Sequence, residues 1–488
     1  QSYLPNVPKR SFINDIEASN HDSKTVFVSA DAHKLGDYRP HLFMSNNRGL
    51  TWKSIIGDLP NNTIVWVIKQ DFIDKNLLFI GTEYGIYFSP NKGVNWVKLS
   101  AGVPTIAFRD IELHPRDNDL VGASFGRGFY VFDDYSPLRN INESLTNNSN
   151  TLFTVRDAWW YIPNTPMQAK GMPSQGTSSF KADNPPFGTL FTYLINDLPK
   201  SSSIERQDEE KLLQNKNSNI PFPGWSELFE EQQDDKPQVL LSVSDAEGNS
   251  IRWIKGTSAK GLHRVNWDLR LPPPNPINLS QPAFKPPWAG TPQGPLVAPG
   301  KYGVTLYILH NGKLNKQGDT QMFTIKPVPT TPQNTNFGAI AQFQVKTSEL
   351  LRQVLSVGKK LDEAGKRIKF MNTALLEISG LRPKLFADLK QLETNLADLK
   401  MRMYGNPIRQ RLNESSVPTF QSRIWNVVGG HWDTRQNPTE TQIRNIEIAE
   451  NEFDEFRKIL STYLSNLEIF EDAMESAGAP YTPGRRFD

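Results

Sequence analysis

Two rhythms of apolar residues divide this chain. In the first third, short apolar runs alternate with turn residues; in the last third, apolar residues return every three or four positions. The clearest early run is Ile64-Val65-Trp66-Val67-Ile68, followed by runs at 77–81, 86–88 and 96–99, with turns predicted at 71–76 and 83–85. β-Branched and aromatic residues between turn signals predict strands. The same order precedes this unit, with strands at 25–29 and 42–44 joined by a long connection over 30–41. It also follows it, with strands at 108–113, 120–123 and 128–132.

A motif recurs at the same point of the first two units. It reads Ser45-Asn46-Asn47-Arg48-Gly49-Leu50-Thr51-Trp52 and then Ser89-Pro90-Asn91-Lys92-Gly93-Val94-Asn95-Trp96. The tryptophans stand 44 residues apart, a period that strand-rich sequence shows in β-propeller blades. Asn and Gly admit a tight turn, Ser and Asn side chains hydrogen-bond its backbone, and Trp anchors the outer strand. Residues 11–134 therefore read as about three blades, and 1–140 as a partial β-propeller. Propellers hold about four to eight blades, so the others are expected from an N-terminal part of the same gene product or from another chain. The start at Gln1 rather than Met fits a processed piece of something longer.

Residues 141–330 carry strand patterns at 189–194, 238–243 and 302–308, with hairpin turn signals at 245–249 and 310–313. An immunoglobulin-like antiparallel β-sandwich is predicted. It has two insertions, a charged one over 201–235 expected to hold a short helix, and a proline-rich one over 272–299. Residues 331–488 are predicted to form an antiparallel helical bundle. Ile340, Thr347, Val354, Leu361, Ile368 and Leu375 are spaced by sevens, as are Phe343, Leu350, Val357, Ala364, Met371 and Ile378. Two further long helices and a shorter one at 419–428 follow. Asn437 is read as the N-cap of the last, with Pro438 at its first position.

Composition narrows the function. Lys plus Arg total 54 and Asp plus Glu 52, a net +2, without the basic excess of a nucleic-acid binder. No apolar run reaches the length of a membrane span. The chain has no cysteine, which excludes disulfides, thiolate metal sites and cysteine nucleophiles within it. Its seven histidines show no metal-ligand spacing, and no phosphate or dinucleotide fingerprint is present. No metal and no cofactor are expected.

The repeated motif resembles the Asp-box, or bacterial neuraminidase repeat, S-x-D-x-G-x-T-W, with Asn47 and Asn91 at the Asp position. The stretches 124–134, 184–188 and 261–270 resemble large secreted bacterial proteins labelled sortilin-like or "glycosyl hydrolase, BNR repeat". The resemblance implies a C-terminal half of such a protein, in the secreted space or cell envelope. Asp-boxes occur in enzymes and non-enzymes alike. The expected function is a noncatalytic binding or scaffold protein with the propeller as recognition platform. The alternative is a sialidase-like glycoside hydrolase acting on a glycan.

The chemistry follows from blade topology. Asp-box turns join third to fourth strands, so Ser45, Asn47, Gly49, Thr51, Trp52, Ser89, Asn91, Gly93, Asn95 and Trp96 are read as structural. Second-to-third connections at 30–41, 83–85 and 125–127 lie on the opposite, top-face rim. They carry His33, Asp37, Tyr38, Arg39, Glu83, Tyr84 and Arg127, and Arg109 joins them from a blade-to-blade loop. Mixed charges among aromatic residues suit a glycan or protein ligand. For hydrolysis, two carboxylates must face each other across a cleft, and Asp31, Asp37, Glu83 and Asp110 are the candidates. Gly122-Ala123-Ser124-Phe125-Gly126 matches the nucleophile elbow but lies between predicted strands, where that motif requires strand then helix.

Overall fold

A computed structural model of the chain describes residues 4–100, 102–141, 149–163, 182, 184–280, 284, 286, 290–380 and 382–485. It is a mixed β and helical, multidomain structure. Three antiparallel meanders come first. They are β1 (Phe12–Ala18), β2 (Val26–Ala32), β3 (Asp37–Ser45) and β4 (Lys53–Ser54); β5 (Val65–Gln70), β6 (Leu78–Thr82), β7 (Gly85–Ser89) and β8 (Val97–Leu99); and β9 (Phe108–His114), β10 (Asp119–Ser124) and β11 (Gly128–Phe132). In each, every strand pairs with its successor in sequence. The first strands lie side by side, β1 against β5 and β5 against β9.

The second meander is buried on both faces, and strand alternation explains how. Leu78, Ile80 and Tyr87 point into one core with Phe27, Leu42 and Trp96. Leu77, Phe79, Ile86 and Phe88 point into the other with Phe108, Ile111 and Tyr135. The flanking meanders are covered on one side only. Phe12, Ile13 and Ile16 of β1 and Phe129 and Val131 of β11 are exposed, Phe129 by 78%.

The connection predicted over 30–41 is much shorter. β2 runs on to Ala32, a 3-10 turn covers His33–Leu35, and Gly36 at φ 80° leads into β3. Pairing slips from Ala30 with His41 to Ala32 with Asp37, which leaves Tyr38, Arg39 and Pro40 opposite Asp31. Pro40, without an amide hydrogen, is tolerated at this irregularity.

Two sheets follow, face to face. Their strands are β12 (Thr151–Leu152), β13 (Ala158–Trp160), β14 (Thr189–Ile195), β15 (Gln238–Ser244), β16 (Ser250–Lys255), β17 (Gly261–Trp267), β18 (Gly300–His310) and β19 (Lys313–Pro327). The orders are β12-β14-β17 and β13-β19-β18-β15-β16, antiparallel except for the β13–β19 pair. Trp160, Phe191, Tyr193, Trp267, Val304 and Phe323 fill the space between them. The charged insertion holds two helices, α1 (Ser202–Asn215) and α2 (Trp225–Gln233).

The helical part comprises α3 (Phe337–Leu375), α4 (Pro383–Tyr404), α5 (Pro407–Arg411), α6 (Phe420–His431) and α7 (Glu440–Ser476). Ile340, Val354, Leu361 and Ile368 of one seam are buried, and Thr347 among them accepts a hydrogen bond from Trp432 Nε1 at 3.0 Å. Gly358 lets α4 approach, since a Cβ there would stand 2.8 Å from the Tyr404 hydroxyl. The N-cap of α7 is Thr439 rather than Asn437. Its hydroxyl accepts from the Gln442 amide while Gln442 Oε1 accepts from the Thr439 amide, a capping box. Among the described residues no helix is long and apolar enough to cross a membrane.

Candidate functional site

The inner strands share a device. Pairing slips between Ile13 and Asp15 in β1 and between Val65 and Val67 in β5. In β9 it slips where Asp110 opposes Ala123 and Phe108 opposes Ser124. Asn14, Trp66 and Arg109 are thereby left as bulged residues at equivalent points near the strand starts. A bulge bends its strand and re-aims a side chain. Here the bulges lie at the edge that also carries the β2–β3, β6–β7 and β10–β11 connections.

Trp66 gathers this edge. The Arg109 guanidinium lies 3.4 Å from the centroid of its ring, close enough for cation–π attraction. The indole Nε1 donates to Glu83 Oε2 at 2.9 Å, and Arg109 is 3.8 Å from the same oxygen. The His33 ring meets the indole edge-on at 5.8 Å, and His33 Nδ1 is paired with the buried Asp31 carboxylate. Phe125 lies on the outer side of Arg109, at 5.2 Å. Asn14 Nδ2 donates to the Val65 carbonyl beside Trp66 at 2.9 Å. Residues of all three meanders meet around one indole.

The other rim residues divide differently. Asp37 is gripped by both Arg39 nitrogens at 2.9 Å and by His41 Nε2 at 3.0 Å. Arg39 above all holds the Asp37 carboxyl well below the usual carboxylate range. Tyr38, Tyr84 and Arg127 are exposed; none of them joins the Trp66 group. The structure thus brings His33, Glu83 and Arg109 together and makes Asp37–Arg39–His41 a separate cluster. Of the four candidate carboxylates, Asp110 accepts from its neighbour Ile111 at 2.9 Å, and the other three are engaged as described. Trp66 itself escapes sequence reading as a site residue, because it sits in a strand whose neighbours are all core. A signal does exist. Ile13-Asn14-Asp15-Ile16, Val65-Trp66-Val67-Ile68 and Phe108-Arg109-Asp110-Ile111 align as apolar, bulged, Asp or Val, Ile.

The far edge carries the repeated turns. Ser45 Oγ accepts from the Gly49 amide at 2.9 Å, and Asn47 Oδ1 accepts from the Thr51 amide at 2.9 Å. Ser89 and Asn91 repeat this to Gly93 at 2.8 Å and Asn95 at 2.9 Å. Trp52 packs on Gly49, and Trp96 is buried with Nε1 donating to the Ile55 carbonyl at 3.0 Å. Ser124 belongs to a strand-to-strand hairpin and donates to the Gly128 carbonyl at 2.8 Å. Among the described residues no group of three or more His, Asp or Glu is placed to hold a metal ion.

No family model and no curated protein matches the chain. Solved structures give slight likenesses. A GH74 enzyme from Niastella koreensis shares 15% identity over 25% of this chain and 21% of its own, with a TM-score of 0.21. An ancestral GH74 enzyme shares 13% over 62% and 43%, also at 0.21. The extracellular domain of a hybrid two component system from B. thetaiotaomicron shares 13% over 65% and 37%, at 0.16. The chain spans less than half the length of each of these. Likenesses so slight carry no argument about activity, and the Asp-box resemblance rests on its motif residues.

Proposed function

We propose that this chain is a noncatalytic binding or scaffold protein of the secreted space or cell envelope. In this reading the three meanders are blades of an incomplete Asp-box propeller of sortilin-like type. The two facing sheets are an immunoglobulin-like sandwich, and the units divide near residues 140 and 330. The edge around Trp66 is the recognition face, and a glycan or protein segment is its ligand. The observation that carries the reading is the Arg109–Trp66–Glu83 stack. It is a rigid aromatic centre with a cation on its face and an acid on its N–H, built from the second and third meanders and buttressed by His33 from the first. Loops and bulges on a rigid scaffold are where binding residues concentrate.

The hydrolase alternative needs one carboxyl able to hold a proton near neutral pH and a second one ionised. Asp37 is held ionised, Asp31 is buried against His33, and Glu83 is tied to Trp66, an arrangement that supports binding over catalysis. The exposed apolar residues of β1 and β11 support further blades covering both flanks, from the same gene product or another chain. The test is a screen of the complete protein against glycans and peptides. Glu83→Ala and Arg109→Ala should weaken binding of the ligand found, with no hydrolysis products released. Turnover that Glu83→Ala abolishes would establish the hydrolase instead.

A further inference from the structure

A second cleft lies away from the Trp66 edge, where the exit of β11 meets the facing sheets. Its volume is about 400 Å³, within the range of small-molecule pockets. One wall is aromatic. Trp159 is 50% and Tyr161 38% exposed, and Tyr161 packs edge-on against Phe187 with ring centroids 4.8 Å apart. The wall is built, because Asn266 Nδ2 holds the Phe187 carbonyl at 2.8 Å. Gly188, at φ 118°, lies so close to the Trp267 backbone that any side chain would collide with it. The stretch Asn184-Pro185-Pro186-Phe187-Gly188, prominent in the sequence and unused by the Trp66 edge, is thus one lip of the cleft.

The other wall is polar. Arg264 donates to the Asp133 and Asp134 carbonyls at 2.6 Å each and fixes that segment. The Asp133 carboxyl, half-buried, receives no hydrogen bond from the described residues, whereas Asp134 accepts from Ser136 and Asp157 from Lys326. Burial, with Asp119 nearby, raises the Asp133 pKa. Arg156 lines the same wall while donating to the Asp117 carbonyl at 2.7 Å. Asn184 adds an amide that both donates and accepts.

We infer that this cleft binds a neutral oligosaccharide. A sugar ring has a C–H face, which suits the electron-rich faces of Trp159 and Tyr161. It also has a hydroxyl rim, which suits the Asp133 carboxylate, free of protein donors among the described residues, and donors at Arg156 and Asn184. Arg156 stands 3.5 Å from the Asp119 carboxylate, Asp157 is paired with Lys326, and the Arg264 guanidinium sits against the backbone of Asp133 and Asp134, so cations and carboxylates are interspersed along the wall. The wall therefore offers hydrogen bonds without selecting a strongly charged ligand. The site is independent of the Trp66 edge.

The experiment titrates the full chain with neutral tetrasaccharides built from glucose, mannose or xylose, reading tryptophan fluorescence and calorimetric heat. At least one should bind with a blue shift. Trp159→Ala and Asp133→Ala should each weaken it about tenfold or more, with circular dichroism unchanged. Trp225→Ala, an exposed tryptophan on α2, should leave it unaltered. Two results would overturn the inference: no tetrasaccharide bound at millimolar concentration, or binding indifferent to both cleft substitutions.

Discussion

The helical bundle and the meander sheets bury apolar side chains by different rules. Each long helix turns one stripe inward, so Leu361, Phe453 and Leu467 serve one shared core. In the second meander, neighbouring residues serve different cores: Phe79 faces one and Ile80 the other. The polar contributions differ as well. The bundle core is mostly apolar, with the buried Glu471 carboxylate paired to a half-buried Arg367. The sheets are tied to the segment that follows them by a wholly buried carboxylate, Asp71. It accepts from Arg139 at 2.8 and 2.9 Å, from the Tyr135 hydroxyl at 2.8 Å, and from the Asp74 amide at 2.6 Å. It ties the β5–β6 turn to the segment after β11. Redundant packing tolerates loss of a part; a single polar tie does not.

The largest effect should therefore come from Asp71→Ala, which leaves the half-buried Arg139 with Asn118 but without its carboxylate partner. Breaking such a pair costs about 3–5 kcal/mol. Urea titration followed by tryptophan fluorescence should show an early transition, with helical ellipticity surviving beyond it. Loss of both signals in one step would break the comparison. Acid sharpens it. Burial opposes ionisation of Asp71, but Arg139, the Asp74 amide and Tyr135 outweigh it and lower its pKa. The stabilisation is then complete above the unfolded value, about 3.9, and fades as pH falls through the folded one. Asp71→Asn should abolish much of that acid sensitivity in the sheets and leave the helical signal as it was.

In the bundle, Leu361→Ala should cost about 2–5 kcal/mol, through lost burial and a residual cavity. Residues 335–488 alone should melt cooperatively and show the same loss by circular dichroism; a gradual melt would sink the idea of a self-sufficient core. At the turns, Ser89→Ala removes the acceptor of the Gly93 amide and should cost about 1–3 kcal/mol, read by urea denaturation. The smallest effect is Thr439→Ala, about 1 kcal/mol from the lost cap of α7, read as a lower melting temperature of the helical signal.

These regions also differ in how far their sequence can be read. The bundle seams are local, and spacing alone places Ile340, Leu350, Val354 and Leu361 inward. The cap lies two residues beyond the one its sequence first offers, because Asn437 and Thr439 are both cap formers and only geometry chooses the one whose hydroxyl reaches Gln442. Strands were legible as apolar runs and the repeated Ser-Asn-Gly turns as motifs, since both depend on neighbours in sequence. Register is a relation between distant segments. The slip at Ala30–Ala32 turned an expected long loop into strand, with Gly36 and Pro40 having masked the pattern. For the same reason the edge was legible as a set of loops, but not as a group centred on Trp66.

The bulges have a consequence for how such a surface arises. If the meanders descend from one duplicated unit, copying the unit copies the kink at its first strand. The backbone of each copy stays committed by its pairing, while the residue at the apex of the kink is free to drift. Asn14, Trp66 and Arg109 are three outcomes at one inherited position: an amide that braces the next unit, a ring, and a cation that covers the ring. A surface of this kind diversifies one letter at a time and leaves its scaffold unchanged.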